Sequence, residues 1–341
     1  MDKKVIFAVA GSGKTTYIVN GLSLEKRSLI VTYTIANYEN LNRKILRKFR
    51  GVWPANITLM TYFSFLFRFC YKPFLADVVG AKGVFFEPNT NRYQKKTDNL
   101  YYMTTGGYFY SNRLSQYLME RMKVIDDIRE RITDYFDEFI IDEVQDFAGR
   151  DFSFLEKLME TNVYQLFVGD FYQHTYDTSR DGNVNSNLFD DRIKYEERYV
   201  KKGVKCDHTT LINSWRCSKP LCNYITENLG ISIDSNRNIE DITKVEFVSD
   251  SCEIERIMRD ESIVKLHYQK SSGYGSGHKN WGETKGEDHY YDVCILLNKT
   301  TFQKYKTGKL NELVPSTRNK LYVALSRARG NVYLINEEVT K

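Results

Sequence analysis

The stretch Val5-Ile6-Phe7-Ala8-Val9-Ala10-Gly11-Ser12-Gly13-Lys14-Thr15-Thr16 decides the fold class. An apolar run of strand type, Val5 to Ala8, is followed at once by closely spaced glycines, and Thr15 to Leu22 then reads as a helix. That succession is the context a phosphate-binding loop requires. Gly11 and Gly13 let the backbone wrap a phosphate chain so that successive N–H groups and the helix N-terminus face the anion. Lys14 is the candidate to reach the β- and γ-phosphates and Thr15 to ligate Mg²⁺, with Ala10, Ser12 and Thr16 completing the cradle. Ala8 stands where the pattern usually has its first glycine.

A second stretch completes the chemistry. Glu138-Phe139-Ile140-Ile141 is a buried-strand run that ends in Asp142-Glu143-Val144-Gln145-Asp146. Open α/β sheets bind ligands at strand ends, which makes Asp142 the candidate for the Mg²⁺ shell. Glu143 is the candidate to orient and deprotonate the attacking water. Together the two stretches predict hydrolysis of a nucleoside triphosphate with Mg²⁺.

Composition bounds the rest. A chain of 341 residues is long enough for two cores. The net charge of +5 is a mild preference for a polyanionic partner. Six cysteines, at positions 70, 206, 217, 222, 252 and 294, form no CxxC pair, and the five histidines are scattered. We expect reduced core thiols and no site for a transition metal. With no secretory signal and no apolar run of membrane-spanning length, a cytoplasmic protein without a membrane partner is expected.

Along the chain, strands alternate with helices. Leu29–Thr32, Ile57–Met60, Gln165–Val168, Val245–Val248, Val293–Leu296 and Asn331–Leu334 read as strands, and a helix after the second carries Tyr38, Leu41, Ile45 and Phe49 on one face. The pattern dissolves between about 71 and 113 into a Gly-, Asn- and Lys-containing insertion. A long amphipathic helix is predicted from Leu114 to Ile132, and Ser271 to Gly277 reads as a mobile loop. Such alternation predicts an α/β fold of parallel sheets flanked by helices.

At this point the order of motifs resembles that of the UvrD/Rep-like superfamily 1 DNA helicases. After the phosphate loop, Val31-Thr32-Tyr33-Thr34 is similar to motif Ia and Leu59-Met60-Thr61-Tyr62-Phe63-Ser64 to motif Ib. Asp142 to Asp146 matches motif II, Gly169-Asp170-Phe171-Tyr172-Gln173 with Tyr176 matches motif III, and Asn213-Ser214-Trp215-Arg216 resembles motif IV. Lys285-Gly286-Glu287 resembles motif V, and Leu321-Tyr322-Val323-Ala324-Leu325-Ser326-Arg327-Ala328 motif VI.

The resemblance implies two RecA-like P-loop lobes with ATP in the cleft between them: residues 1–205, with a short insertion at about 70–135, and residues 206–341. By that similarity Gln173 senses the γ-phosphate, Arg216 and Arg327 act as arginine fingers, and Gly286 with Glu287 contacts the nucleotide, Asp288 being the alternative carboxylate. One such arginine is worth about 10³–10⁵ in rate. Thr32, Thr34 and Thr61 are implied to meet a nucleic-acid backbone. Tyr33, next to Tyr62 in this set, is implied to stack on bases; the other reading is a core ring. Arg43, Lys44, Arg47, Lys48 and Arg50 form a basic run nearby, read as a solvated helix face.

There are departures from the family. The phosphate loop starts so close to Met1 that the upstream glutamine motif is expected to be absent, Thr178 stands in place of a stacking tryptophan, and Gly282 replaces the motif V histidine. The second-lobe insertion is short. The expected function is an ATP-driven translocase or helicase on single-stranded DNA, or on duplex with a single-stranded tail, moving 3′ to 5′. Alternatives are a DNA-gated ATPase that licenses a partner nuclease, as in anti-phage defence, and a small-molecule phosphotransferase, which is disfavoured.

Overall fold

The computed structural model describes residues 2–87, 89, 93–175, 183–238, 243–287 and 289–340. Tyr176, Thr178 and Asp288, singled out above, lie outside the described residues. The chain divides into two compact units. The first comprises Met1–Ile6, Thr15–Gly169 and Asp177–Asp207, and the second Phe7–Lys14, Asp170–Tyr176 and His208–Lys341.

The first unit is built on a parallel sheet. Its strands are β1 (Lys3–Phe7), β2 (Ser28–Thr32), β3 (Ile57–Thr61), β4 (Glu138–Asp142), β5 (Tyr164–Gly169) and β6 (Lys205–Asp207), in the order β3-β2-β4-β5-β1-β6. Every residue of β2 and β4 is buried, as a parallel strand covered on both faces requires, and this is why both read as continuous apolar runs. The register places Thr32 opposite Thr61 on one side and Asp142 on the other, so three polar residues finish three neighbouring strands at one level. Strand β4 is separated from β1 by β5, roughly 10 Å at two strand spacings.

Two expectations in this unit are corrected. The long helix over 114–132 is two helices: Ser111–Gln116 continues through a π-helical segment, Tyr117–Arg121, and Ile125–Tyr135 starts anew. Lys123 takes a left-handed φ of 56° between them, which ends one helix, while Asp126 and Asp127 suit the first turn of the next. The insertion is also more ordered than the sequence pattern implied. It holds a helix, Lys72–Val79, and a parallel two-stranded ribbon, Gly83–Phe85 with Tyr108–Tyr110.

The second unit carries a five-stranded parallel sheet of β7 (Val245–Phe247), β8 (Val264–His267), β9 (His278–Asn280), β10 (Val293–Leu297) and β11 (Val332–Asn336), ordered β7-β11-β10-β8-β9. Strand periodicity splits its core in two. Val293, Ile295, Leu297, Val332 and Leu334 pack with Leu321, Leu325 and Trp281 on one face. Cys294, Leu296, Tyr333 and Ile335 pack with Ile257 and Ile263 on the other. The stretch expected to be a mobile loop is held: the Ser271 N–H donates to Asn280 Oδ1 at 3.0 Å, the Lys265 N–H donates to the Gly277 carbonyl at 2.9 Å, and the Tyr274 ring stacks on His267.

Candidate functional site

In the first unit, Asp142 closes β4 with its side chain 1% exposed, and its Oδ1 accepts from the Glu143 N–H at 3.1 Å. Glu143 adopts φ 55° and ψ 50°. A non-glycine residue in that left-handed conformation costs about 1–3 kcal/mol and persists where the surroundings over-determine it. Here they do: Gln145 Nε2 donates to Glu143 Oε2 at 2.5 Å, and the short 3-10 turn Val144–Asp146 follows. Gly169, at the end of β5, lets this turn approach, because a Cβ there would lie 2.8 Å from Val144 Cγ1 and 3.1 Å from the Val144 nitrogen. The result is a carboxylate pair at a strand end with one member braced by an amide.

The helix Lys14–Gly21 places Thr15 at its start, half-buried. Thr16 Oγ1 accepts from Lys44 Nζ at 2.9 Å. Lys48 Nζ donates to the carbonyls of Val19 and Asn20 at 2.8 and 2.9 Å, and also reaches that of Leu22. Part of the basic run expected to be a solvated face is therefore a cap on the C-terminal end of this helix, where free carbonyls favour a cation.

In the second unit, Gly11 and Gly13 have φ of 71° and 89°, the sense that turns successive N–H groups into an anion-binding nest. Gly11 is fixed by packing as well. A Cβ there would stand 2.7 Å from both Arg216 Cβ and Ser214 Oγ, and the Trp215 N–H donates to the Gly11 carbonyl at 2.9 Å. Arg216 thus lies against the loop, with Nη1 donating to the Ser326 carbonyl at 3.0 Å. Lys14 is 8% exposed. The Ser12 hydroxyl is buried with no hydrogen-bond partner among the described residues. In the second unit, left-handed glycines, an orphaned hydroxyl and a lysine form a donor set that fits a polyphosphate; in the first, Thr15 and Asp142 each carry a hard oxygen of the kind a magnesium ion takes.

A network that sequence reasoning missed supports the loop. The Tyr322 hydroxyl accepts from the Ala10 N–H at 2.9 Å and donates to Asp170 Oδ2 at 2.9 Å. Asp170 Oδ2 also accepts from Gln173 Nε2 at 2.9 Å, and Asp170 Oδ1 from the Tyr172 N–H at 3.1 Å. Burial, aided by Asp170, holds the Tyr322 hydroxyl protonated far above its ordinary range. The phosphate loop and the glutamine expected to sense phosphate thus share one buried tyrosine. Trp215 was also missed: its indole is 67% exposed beside Gly13.

Arg327, expected as a finger, lies in the core of the second unit. It is 1% exposed, and its guanidinium donates to the carbonyls of Val323 at 3.1 Å, Thr284 at 3.3 Å and Glu287 at 3.2 Å. It braces the 284–287 turn against the helix Pro315–Leu325. Gly286 has φ 87°, and the Glu287 carboxylate is paired with Lys279 and accepts from the Tyr290 hydroxyl.

The expected nucleic-acid residues divide. Thr34 and Thr61 are N-caps, accepting from the Asn37 N–H at 3.2 Å and the Ser64 N–H at 3.4 Å, and Thr34 is exposed. Thr32 is fully buried between two neighbouring strands, and Tyr62 is 1% exposed. Tyr33 is half-buried, its ring stacked on Tyr62 at 5.3 Å and edge-on to Phe63 and Phe147.

No family model matches the sequence, and no curated protein does. Solved structures do match. Arterivirus nonstructural protein 10 (helicase) in complex with DNA aligns with 98% of this chain and 60% of its own, at 15% identity and a TM-score of 0.51. A crystal structure of the arterivirus helicase aligns with 98% and 59%, at 15% identity and the same TM-score. The chain spans about three-fifths of the length of these helicases. At such identity the likeness is one of fold: α/β, two RecA-like lobes with parallel sheets flanked by helices.

Proposed function

We propose that the chain is a nucleic-acid-stimulated ATPase that moves along a single strand, a UvrD-like superfamily 1 motor with 3′ to 5′ polarity. The observation that carries this reading is the seat of Gly11 against Ser214 and Arg216, which puts an arginine beside a phosphate-binding loop. Phosphoryl transfer is catalysed by positioning and by neutralising charge, so that pairing is what the reaction needs. Fold likeness to a helicase whose structure holds DNA supports the choice of partner.

In this reading Lys14 and the loop N–H groups bind the phosphates, while the Thr15 hydroxyl and the Asp142 carboxylate hold magnesium. The bound ion supplies charge neutralisation on the phosphate oxygens. Glu143, oriented by Gln145, positions a water and takes its proton. Gln173 reports the state of the site through Asp170 and Tyr322. Arg216 stabilises the charge that develops on the transferred group, and Arg327 positions the 284–287 turn.

ATPase rate measured against the length of single-stranded oligodeoxythymidine tests the proposal. A motor shows a rate that rises with length before it levels. Saturation by the shortest stimulating oligonucleotide would instead favour the gated ATPase that licenses a nuclease, and indifference to any strand would overturn both.

A further inference from the structure

The ribbon of Gly83–Phe85 and Tyr108–Tyr110 has two unlike faces. Strand periodicity sends Val84 and Phe109 to one side, where Phe109 is fully buried and packs edge-on against Tyr71 at 5.0 Å. The other side carries Gly83, Phe85, Tyr108 and Tyr110, with register partners Gly83 and Tyr108, and Phe85 and Tyr110. Phe85 is 42% exposed and Tyr108 41%. The Tyr108 ring lies over Gly83, and the stem of Lys82 would be 3.9 Å from a Cβ at Gly107. Among the described residues of the two strands, this face therefore carries aromatic rings and a glycine, with a lysine at its edge.

The next residue extends the array towards the strand ends of the main sheet. Phe86, 65% exposed, meets Phe63 edge-on at 5.1 Å, and Phe63 meets Tyr33 at 5.6 Å. The segment is also basic: residues 68–110 hold six Lys or Arg against three Asp or Glu, three of the chain's five net positive charges. Exposed apolar rings are costly in water and mark interaction surfaces.

We propose that the outer face of this ribbon, with Phe86, is a stacking platform for the bases of single-stranded nucleic acid, prolonging a track that begins at the end of β2. Each base has a flat apolar face, so rings accept any sequence, and lysines flanking them meet the backbone. A groove for a protein segment would call for aliphatic lining, which the described strand residues of this face do not supply. The inference rests on the reading of the chain as a single-strand motor and adds the insertion as part of its binding surface.

The test uses the full chain. Binding of fluorescently labelled oligodeoxythymidine 20-mer is measured for the wild type, Phe86→Leu, Phe86→Trp and the double variant Phe85→Leu/Phe86→Leu, together with melting temperature and ATPase rate without DNA. Loss of a stacked base should weaken binding by about 5- to 150-fold in the leucine variants, with Phe86→Trp close to wild type and the DNA-free rate unchanged. Leucine keeps the apolar volume, so the variants stay folded, and melting checks this. Leucine variants that bind as tightly as wild type would overturn the platform while leaving the motor reading intact. A folded wild-type chain that binds no oligonucleotide would overturn the motor reading itself, and the platform with it.

Discussion

Tyr62 donates its hydroxyl to Asp151 Oδ1 at 3.0 Å inside the first unit, in a site where both residues are buried. Ser115 Oγ reaches the same oxygen at 2.8 Å and the Tyr33 hydroxyl reaches Oδ2 at 3.2 Å. Asp151 lies in the first turn of the helix Gly149–Leu158, directly after the acidic motif. Two aromatics that follow β2 and β3 are thus tied to the helix that comes directly after the acidic motif.

Desolvation dominates the three hydroxyls, and the Asp151 carboxyl is pushed up to about 6. The folded state therefore binds this proton more tightly than the unfolded chain, whose carboxyl titrates near the ordinary aspartate value. Stability contributed by this group falls as pH rises from about 4 to 6 and is level above that, a change of up to about 3 kcal/mol. Asp151→Asn should remove that slope and melt above wild type at pH 8, as urea titrations at pH 5 and pH 8 would read. Asp151→Ala should lose about 1–3 kcal/mol for each hydroxyl left unpaired.

The left-handed backbone of Glu143 separates stability from turnover. Glu143→Gly relieves the conformational cost, so its melting temperature should equal or exceed that of wild type while hydrolysis is lost. Glu143→Gln should retain nucleotide binding and lose turnover, whereas Lys14→Ala should lose binding. Filter binding of labelled ATP beside a phosphate-release assay distinguishes them; normal turnover in Glu143→Gln would remove Glu143 from the chemistry.

Tyr322→Phe deletes one oxygen and leaves the ring in place. The Ala10 N–H then has no Tyr322 acceptor and Asp170 loses a donor. We expect a rise in KM for ATP and a stability loss of about 1–3 kcal/mol, set by the buried groups left unpaired. Unchanged kinetics would show that the tyrosine supports the fold alone.

What the sequence made legible was what local order dictates. Phe139-Ile140-Ile141 before Asp142, and the glycines after Val5 to Ala8, are short-range patterns, and the structure places Asp142 at a strand end and both glycines at positive φ. Strands β8 and β9 went unread because Lys265, His267 and Lys279 interrupt the apolar pattern, although Lys265 and His267 are buried. Lys265 Nζ reaches the Asp260 carbonyl, and His267 Nε2 pairs with His278 Nδ1 on the neighbouring strand, a bond that the pattern of either strand alone does not announce. The Tyr322 to Asp170 bond spans 152 positions and leaves no local trace. A motif likewise names Arg327 without its direction, which carbonyls 40 or more residues away decide.

Trp215 offers an exposed indole beside the loop, and an aromatic face there suits a nucleotide base. Trp215→Ala should raise KM for ATP about 5- to 30-fold, the equivalent of roughly 1–2 kcal/mol of stacking, with kcat little changed. Because the side chain is exposed, melting should shift by less than a degree or two, about the size of an ordinary surface substitution.

Tyr33 has two roles that one residue can be made to separate. Its ring packs on Tyr62, Phe63 and Phe147, and its hydroxyl bonds to Asp151. Yet it is half-buried, at the head of the aromatic file that ends in Phe86. Tyr33→Phe keeps the face and cuts the tie to Asp151, so DNA affinity should hold while DNA stimulation of the ATPase falls. Tyr33→Ala removes both, and should cost about 3–5 kcal/mol of stability as a large aromatic truncation in a packed cluster. Measuring affinity, stimulation and melting on the same two proteins assigns the residue. Loss of stimulation in Tyr33→Phe at unchanged affinity identifies the hydroxyl as the link between strand and hydrolysis, whereas wild-type stimulation there confines Tyr33 to packing.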